Sequence, residues 1–413
     1  MKNKIVLSLI LSANLFALDI QMAVDTALKN NFSLKEQSYI VDENQANLDK
    51  SYSAYKPKLD VSYTFNDRNK LIANQIDKDS TLSAKVSYNL FNGLSDKYNI
   101  QSFDDLFKSS KLTYEGKKQD IILDTKKAYI NYLLKQKQTQ TMLEAYKSYQ
   151  TQYNDSTNLF NQGLIAKNDL LEVEVEMLQA KQNVQSAKSD EIIAKDELAN
   201  VLGTDISKDE NIVELEESND KDMVYKEDKI LNRSEIKALE LVAQNYKNKL
   251  KSTYGTYVPK VDASLSYNKY GDDENPSGRN GYPSSQKVGT ISVNWNLYNG
   301  GSDSYNGVIY NKKVRQTLMQ LEDLKLQIKL QYKKAIEQYN VSKFNFDTAS
   351  KALESSKLNY EIVRDKLQEG LSTNKDLIDA NYLLTQSKQN YFNAYYNKYL
   401  AIATIQRVIE EVK

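Results

Sequence analysis

The chain of 413 residues contains no cysteine and no histidine. Their absence excludes disulfides, thiol nucleophiles, histidine general bases and the usual zinc sites. Proline and glycine are scarce, at 4 and 13 positions, against a joint average of about 12%. Charge of neither sign dominates. The 55 Lys and Arg residues stand against 55 Asp and Glu, which leaves no large basic footprint for nucleic acid. Past the N-terminus no segment approaches the roughly 18 uninterrupted apolar residues of a spanning helix. No phosphate-cradling glycine-rich motif is present, so a passive role is expected. These absences argue against most enzymes and most DNA-binding proteins, and no cofactor or metal ligand set is expected. The length allows two or three ordinary domains or one elongated architecture.

Among what is present, residues 1–17 read as a secretory signal peptide. Lys2 and Lys4 precede an apolar run over residues 5–11, and small and mixed residues end near Ala17. Leu15 makes the cleavage site imperfect, and no Cys is available there for a lipid anchor. An exported protein is expected.

The remaining sequence is written twice. Residues 86–99 (VSYNLFNGLSDKYN) and 293–306 (VNWNLYNGGSDSYN) are identical at nine of fourteen positions, at an offset of 207. The same offset pairs Gly163-Leu164 with Gly370-Leu371 and Asp169-Leu170 with Asp376-Leu377. Tyr55-x-Pro57-Lys58-x-Asp60 matches Tyr257-x-Pro259-Lys260-x-Asp262 at an offset of 202. Such conserved spacing marks a duplication. The expected division is a first repeat over 18–202, a connector over 203–232 and a second repeat over 233–413. From Asp205 to Asp228 the connector has ten acidic residues against three lysines, a composition that suits a solvated link carrying short packed elements.

Each repeat follows one grammar. A helical stretch, 22–55 in the first copy, ends before Pro57 or Pro259. Two alternating segments follow. Leu59, Val61, Tyr63 and Phe65 form one apolar set, and Leu82, Ala84, Val86, Tyr88 and Leu90 the next. The second repeat offers Val261, Ala263, Leu265 and Tyr267, then Ile291, Val293, Trp295 and Leu297. Period-two alternation over about nine residues predicts strands of membrane-spanning length. Long helices are then expected over about 95–160 and 302–368. Each ends at a glycine, Gly163 or Gly370, placed as a helix cap. A second helix with a heptad stripe follows: Leu170, Val173, Met177, Ala180, Val184, Ala187, Ala194, Leu198 and Val201. Its copy has Leu377, Ala380, Leu384, Ser387, Tyr391, Ala394, Ala401, Ile405 and Val408. Lengths agree with two rods, each with strands at one end and a glycine turn at the other.

Four strands cannot close a barrel in lipid. Either they form a soluble sheet or several chains pool them, and three chains would give twelve strands. The signal peptide, strand length and tyrosine enrichment favour pooling. Tyr63, Tyr88, Tyr267 and Trp295 are candidates for an aromatic belt. The other reading is an exported coiled-coil structural protein without channel activity, which accounts for the heptads but not for the duplicated strands.

The duplicated order resembles the TolC-type outer membrane efflux proteins. It is carried by the Pro-led strand, the Leu90-Phe91-Asn92-Gly93 and Leu297-Tyr298-Asn299-Gly300 segments, the long helix and the G-x-x-x-x-x-D-L turn. The resemblance covers essentially the whole chain after the signal peptide. It implies a mainly α fold in which duplicated helical hairpins form an α-barrel tunnel. A homotrimer would pool its strands in a 12-stranded β-barrel in the outer membrane of a Gram-negative cell, with the tunnel in the periplasm. It also implies a passive exit duct, not an enzyme. The partners would be outer membrane lipid, a periplasmic adaptor protein, and an inner membrane pump or ABC exporter of a tripartite efflux or type I secretion system.

The resemblance places a gate at Asp376 and Asp379, which stand at i and i+3 on one helix face, with Asp169 and Glu172 at the matching places of the first repeat. Rings of such acids in a trimer would select cations. Acids in a helix's first turn also stabilise its dipole; that role suits Asp169 and Glu172 at least as well as gating, and for Asp376 and Asp379 a cap stands beside the gate as a compatible role. The family's latch arginine has no counterpart, since Ser372 stands at its position; Lys375 or Lys167 is a candidate substitute. The turns at Gly163-Leu164 and Gly370-Leu371 resemble the family's adaptor-docking tips, and they also read as capped hairpins.

Overall fold

The computed structural model describes residues 18–69, 76–207, 210–215, 227–281 and 283–410. The expected signal peptide over 1–17 lies outside the described residues, as do 208–209 and 216–226 of the connector. The chain is mainly helical, with four antiparallel strands. In order these are α1 (Ile20–Asn30), α2 (Phe32–Ser51), β1 (Lys58–Asp67), β2 (Lys78–Asn92), α3 (Ser95–Asn161), α4 (Lys167–Leu202), α5 (Ser234–Thr253), β3 (Lys260–Gly271), β4 (Ser285–Asn294), α6 (Ser302–Gln368) and α7 (Asn374–Val408). Among the described residues no helix is long and apolar enough to cross a membrane. Packing divides the chain into two units. Among the described residues, one is formed by those of 18–36, 115–233 and 326–410, the other by those of 37–114 and 234–325.

The second unit holds the sheet, in the order β1-β2-β3-β4. β1 pairs with β2 from Lys58↔Ser87 to Asp67↔Lys78. β2 pairs with β3 from Ser80↔Gly271 to Asn92↔Lys260, with an irregularity between Asn89 and Phe91. β3 pairs with β4 from Lys260↔Asn294 to Lys269↔Ser285. β1 and β4 are therefore the free edges. The apolar set stays uncovered in one chain: Leu59 is 71% exposed, Ile291 74% and Val293 65%. Trp295 and Leu297 were expected to end the last strand, and they lie beyond it. β3 begins at Lys260, opposite Asn294, so the residues that follow find no ladder partner within the chain. The Trp295 indole instead donates to Tyr257 O at 3.2 Å. In the same unit α3 and α5 are tied by polar side chains at small-residue contacts. Asn245 Nδ2 donates to Ser102 O at 2.7 Å, and Ser109 Oγ to Ala238 O at 2.9 Å.

The first unit is helical. Its core includes Val24, Tyr129, Leu133, Val173, Leu198, Leu202, Ile230, Ile328 and Ile405; each fully buried aliphatic side chain contributes about 1.5–3 kcal/mol. On α4 the buried residues Val173, Ala180, Val184, Ala194 and Leu198 belong to the expected stripe, and the helix end buries Leu202 where the stripe placed Val201. α7 buries its stripe at Leu377, Ala380, Leu384, Ser387, Ala394, Ala401, Ile405 and Val408. It buries a second set at Ile378, Asn381, Tyr396, Ile402, Ala403 and Arg407, which a single heptad does not foresee.

The first helix is broken where one helix over 22–55 was expected. The break falls at Asn31, whose Oδ1 accepts from Ser33 N and Leu34 N at 3.0 and 3.1 Å, while its Nδ2 donates to Val201 O at 2.9 Å. One asparagine thus caps α2 and fastens it to the end of α4. The described part of the connector is more than a solvated link. Leu18 and Ile212 form a parallel bridge, and Tyr129 hydrogen-bonds Val213 O at 2.6 Å. Glu214 accepts from the Tyr396 hydroxyl and pairs with Lys137 at 2.7 Å. Burial and that carboxylate together raise the Tyr396 phenol well above its ordinary range.

Candidate functional site

The candidate residues cluster at two helical hairpins, α3–α4 and α6–α7. Both long helices end the same way. Gly163 N donates to Phe160 O at 2.9 Å and Leu164 N to Leu159 O at 2.9 Å; Gly370 N donates to Leu367 O at 3.0 Å and Leu371 N to Lys366 O at 2.8 Å. This bond pair satisfies orphan carbonyls and requires a left-handed residue, which the glycines supply at φ +75° and +73°. A Cβ at either would meet nothing within 4 Å, so the backbone angle alone demands glycine. The residues after them are presented to solvent, Leu164 at 65% and Leu371 at 71% exposure.

The entries into α4 and α7 differ. Thr373 caps α7 by accepting from Asp376 N at 3.2 Å. Asp376 Oδ2 in return accepts from Thr373 N at 2.8 Å, Thr373 Oγ1 at 2.7 Å and Ser372 Oγ at 3.0 Å. These bonds to Thr373, then to Ser372, hold the Asp376 carboxyl below its ordinary value of 3.8. At the equivalent start of α4 the cap residue is Ala166, with no side-chain bond, and Asp169 accepts instead from Asn168 Nδ2 at 2.7 Å. The reciprocal cap follows the T-x-x-D of Thr373-Asn374-Lys375-Asp376 and gives Asp376 the cap role expected beside the gate, with Thr373 as its partner. Ser372, at the place of the family's latch arginine, belongs to this cap.

Asp379 is exposed, one turn further along α7. Glu172 is engaged across the repeats by Lys375, with Nζ–Oε1 at 3.7 Å. Gln152, buried on α3, donates to Asn374 O at 3.1 Å. Beneath the turns Tyr149, Val173, Ala180 and Ile378 form an apolar cluster with Tyr146, Tyr153 and Met177 against it. Burial, then the charge of Glu176, push the Tyr149 phenol up to about 12, and the Asp379 carboxylate adds to the shift. The four candidate acids thus do not form one constellation within a chain. Asp376 is a cap, Glu172 an ion-pair partner, Asp169 a neighbour of Asn168, and Asp379 an exposed carboxylate. Among the described residues no group of three or more acids is placed to hold a metal ion.

Comparison with known proteins gives the same architecture. The chain is similar to the Campylobacter jejuni CmeC outer membrane channel at 17% identity, over 94% of this chain and 85% of that one, with a TM-score of 0.84. It is similar to CusC, described in terms of folding and transmembrane channel formation, at 15% identity over 95% and 93% of the two chains and a TM-score of 0.82. The open state of the Neisseria gonorrhoeae MtrE outer membrane channel matches at 15% identity, 94% and 88% coverage and a TM-score of 0.78. At such identities these likenesses establish the fold. A search of curated protein sequences finds no match. The outer membrane efflux protein family model matches twice, over residues 23–204 and 227–409, one match per copy of the duplication. On that match, across most of its length, the chain belongs to the outer membrane efflux protein family.

Proposed function

We propose that this protein is the passive exit duct of a tripartite efflux or type I secretion system, a channel-tunnel gated at its periplasmic end. The observation that carries the reading is the sheet. It has two unpaired edges and an apolar face open to its surroundings, an arrangement that lipid tolerates only when closure removes the edges. Three chains supply twelve strands, above the smallest closed barrels. The reading therefore takes a homotrimer in the outer membrane of a Gram-negative cell, with lipid against the apolar strand face and the helices forming a tunnel in the periplasm. The repeats divide at 18–202 and 233–413, joined by 203–232.

The exposed turns Gly163-Leu164 and Gly370-Leu371 suit docking of a periplasmic adaptor that links the duct to an inner membrane pump or ABC exporter. For the gate, Asp379 is the strongest candidate, because its carboxylate is exposed and Asp376 is committed to capping α7. Asp169 and Glu172 contribute charge at the same level of the first repeat. Lys375, reaching Glu172 across the repeats, is the candidate tie in place of an arginine latch. The MtrE structure is described as an open state, which supports a channel with more than one state.

Conductance of the purified chain in planar bilayers tests the reading. Discrete, cation-selective steps are expected, with selectivity reduced in Asp379→Asn and less so in Asp376→Asn. A protein that inserts no conductance would overturn the duct, and unchanged selectivity in Asp379→Asn would remove that residue from the gate.

A further inference from the structure

One cation of the helical unit is drawn out of water without a counter-charge. Lys126, on α3, is half-buried, and its Nζ donates to Gln406 Oε1 of α7 at 3.0 Å. An ammonium carries three N–H donors, and among the described residues that amide oxygen is its acceptor, with no carboxylate beside it. Burial alone sets the Lys126 ammonium below its ordinary pKa, and no neighbouring charge holds it up. A charge taken from water is costly unless something pairs with it.

Lys126 lines a cleft of about 440 Å³. Around it α1 supplies Ile20, α3 Ile130, the connector Val213, and α7 Ile402 and Ala403. Small-molecule sites typically enclose roughly 300–1,000 Å³, with apolar walls and a few polar anchors. Two acids also line the cleft, and both are engaged elsewhere. Asp19 Oδ1 accepts from Met22 N at 2.7 Å as the cap of α1, and Glu214 is held by Lys137 and the Tyr396 hydroxyl. The Tyr129 hydroxyl, bonded to Val213 O, fixes the connector wall.

The duplication shows that the lysine does not need such a cleft. The offset of 207 carries Lys126 onto Lys333, which is exposed. The same offset carries Ile402, Ala403 and Gln406 of α7 back onto Lys195, Asp196 and Ala199 of α4. Where one repeat sets the lysine among apolar side chains, the other has a solvated lysine and charged residues at the matching helix positions.

We propose that this cleft binds an amphipathic anion, a carboxylate on an unbranched alkyl chain, with its head on Lys126 and its tail along Ile130, Ile402 and Ala403. The carboxylate takes the N–H donors that Gln406 leaves unused and supplies the counter-charge that the chain withholds. The tail removes aliphatic surface from water. An alkyl cation would meet the lysine as a like charge, and an alkyl alcohol would leave it without a counter-charge. Every wall belongs to the helical unit of one chain, so the site does not depend on closure of the barrel.

The nucleophilicity of Lys126 supplies the readout. The full chain in nonionic detergent is briefly acetylated with acetic anhydride, with and without octanoate, and each lysine is quantified by peptide mass spectrometry. Lys126 is expected to react in the free protein. Octanoate at about ten times its dissociation constant should slow that reaction about tenfold, as site occupancy dictates. Lys127, the exposed neighbour, is the internal control and should not change. Octan-1-ol at the same concentration should leave Lys126 nearly as reactive as in the free protein. Gln406→Glu is close to isosteric and supplies the carboxylate from within the chain. It should slow acetylation of Lys126 by itself and abolish further protection by octanoate. Equal labelling with and without octanoate, equal protection by octan-1-ol, or full octanoate protection in Gln406→Glu would each overturn the site. So would a Lys126 that never reacts, because the cleft would then admit no solute.

Discussion

The two helical turns make an instructive pair, because the duplication gives them nearly the same sequence and the structure gives them different chemistry. Both long helices end on a left-handed glycine with the same two backbone bonds. Both next helices then carry an aspartate three positions after the cap residue, Asp169 in α4 and Asp376 in α7. Only the second aspartate closes a capping box, because only there is the cap residue a threonine: Thr373 stands where the first repeat has Ala166. One hydroxyl decides whether an acid at a hairpin tip is part of the scaffold or available for other work. Acid position alone is therefore a poor guide to a gate.

The comparison can be broken most severely from beneath. Tyr149 packs under both turns, touching the cluster that α4 supplies through Val173 and Ala180 and α7 through Ile378. Tyr149→Ala should cost about 3 kcal/mol or more, the range for truncating a buried aromatic. Hydrogen exchange should show both hairpins loosened together. Loosening of one alone would mean that the cluster does not couple them.

The glycines come next. Gly163→Ala and Gly370→Ala should each cost about 1–2 kcal/mol, the strain of a left-handed non-glycine residue. The two costs should match, since neither Cβ meets a neighbour. Unequal losses in thermal unfolding would show that the turns are not equivalent in backbone.

The cap itself can then be exchanged. Thr373→Ala should destabilise the start of α7 by about 1 kcal/mol, and Ala166→Thr should return part of that to α4. The box also has a pH signature. Because the folded Asp376 carboxyl titrates below 3.8, its contribution is present above that value and is lost as pH falls through the folded pKa. Amide protection at residues 373–376 should accordingly hold at pH 5 and fall only in stronger acid. Protection lost already at pH 5 would contradict the box. The smallest effect is expected from Lys375→Ala. Its pair with Glu172 is long and solvent-exposed, so the change in stability should stay below about 0.5 kcal/mol. A larger loss would give the pair a structural role beyond a tie.

Much of the fold was legible because its signals are periodic and repeated. The strand that carries Leu59, Val61, Tyr63 and Phe65 is present, and Val173, Ala180, Val184, Ala194 and Leu198 of the stripe are buried. The parts that were not legible depend on what a residue meets in space. Asn31 interrupts a continuous helical pattern because its side chain finds two amides of α2 and a carbonyl of α4. The last strand ends at Asn294 although its alternation continues through Trp295 and Leu297, because a ladder needs a partner and the chain offers none there. Of the candidate site, the glycines and the exposed leucines were readable from spacing. The cap at Asp376 was readable too, once Thr373 is weighed beside it. The pairing of Lys375 with Glu172 was not, since it joins residues two hundred positions apart that only the packed hairpins bring together.

The central claim is that one chain supplies one third of a closed barrel. Its most direct test is the protein mass of the detergent-solubilised particle, by light scattering with the detergent contribution removed. The account predicts three chains per particle. A stable particle of one chain, with its strand edges unpaired, would contradict it.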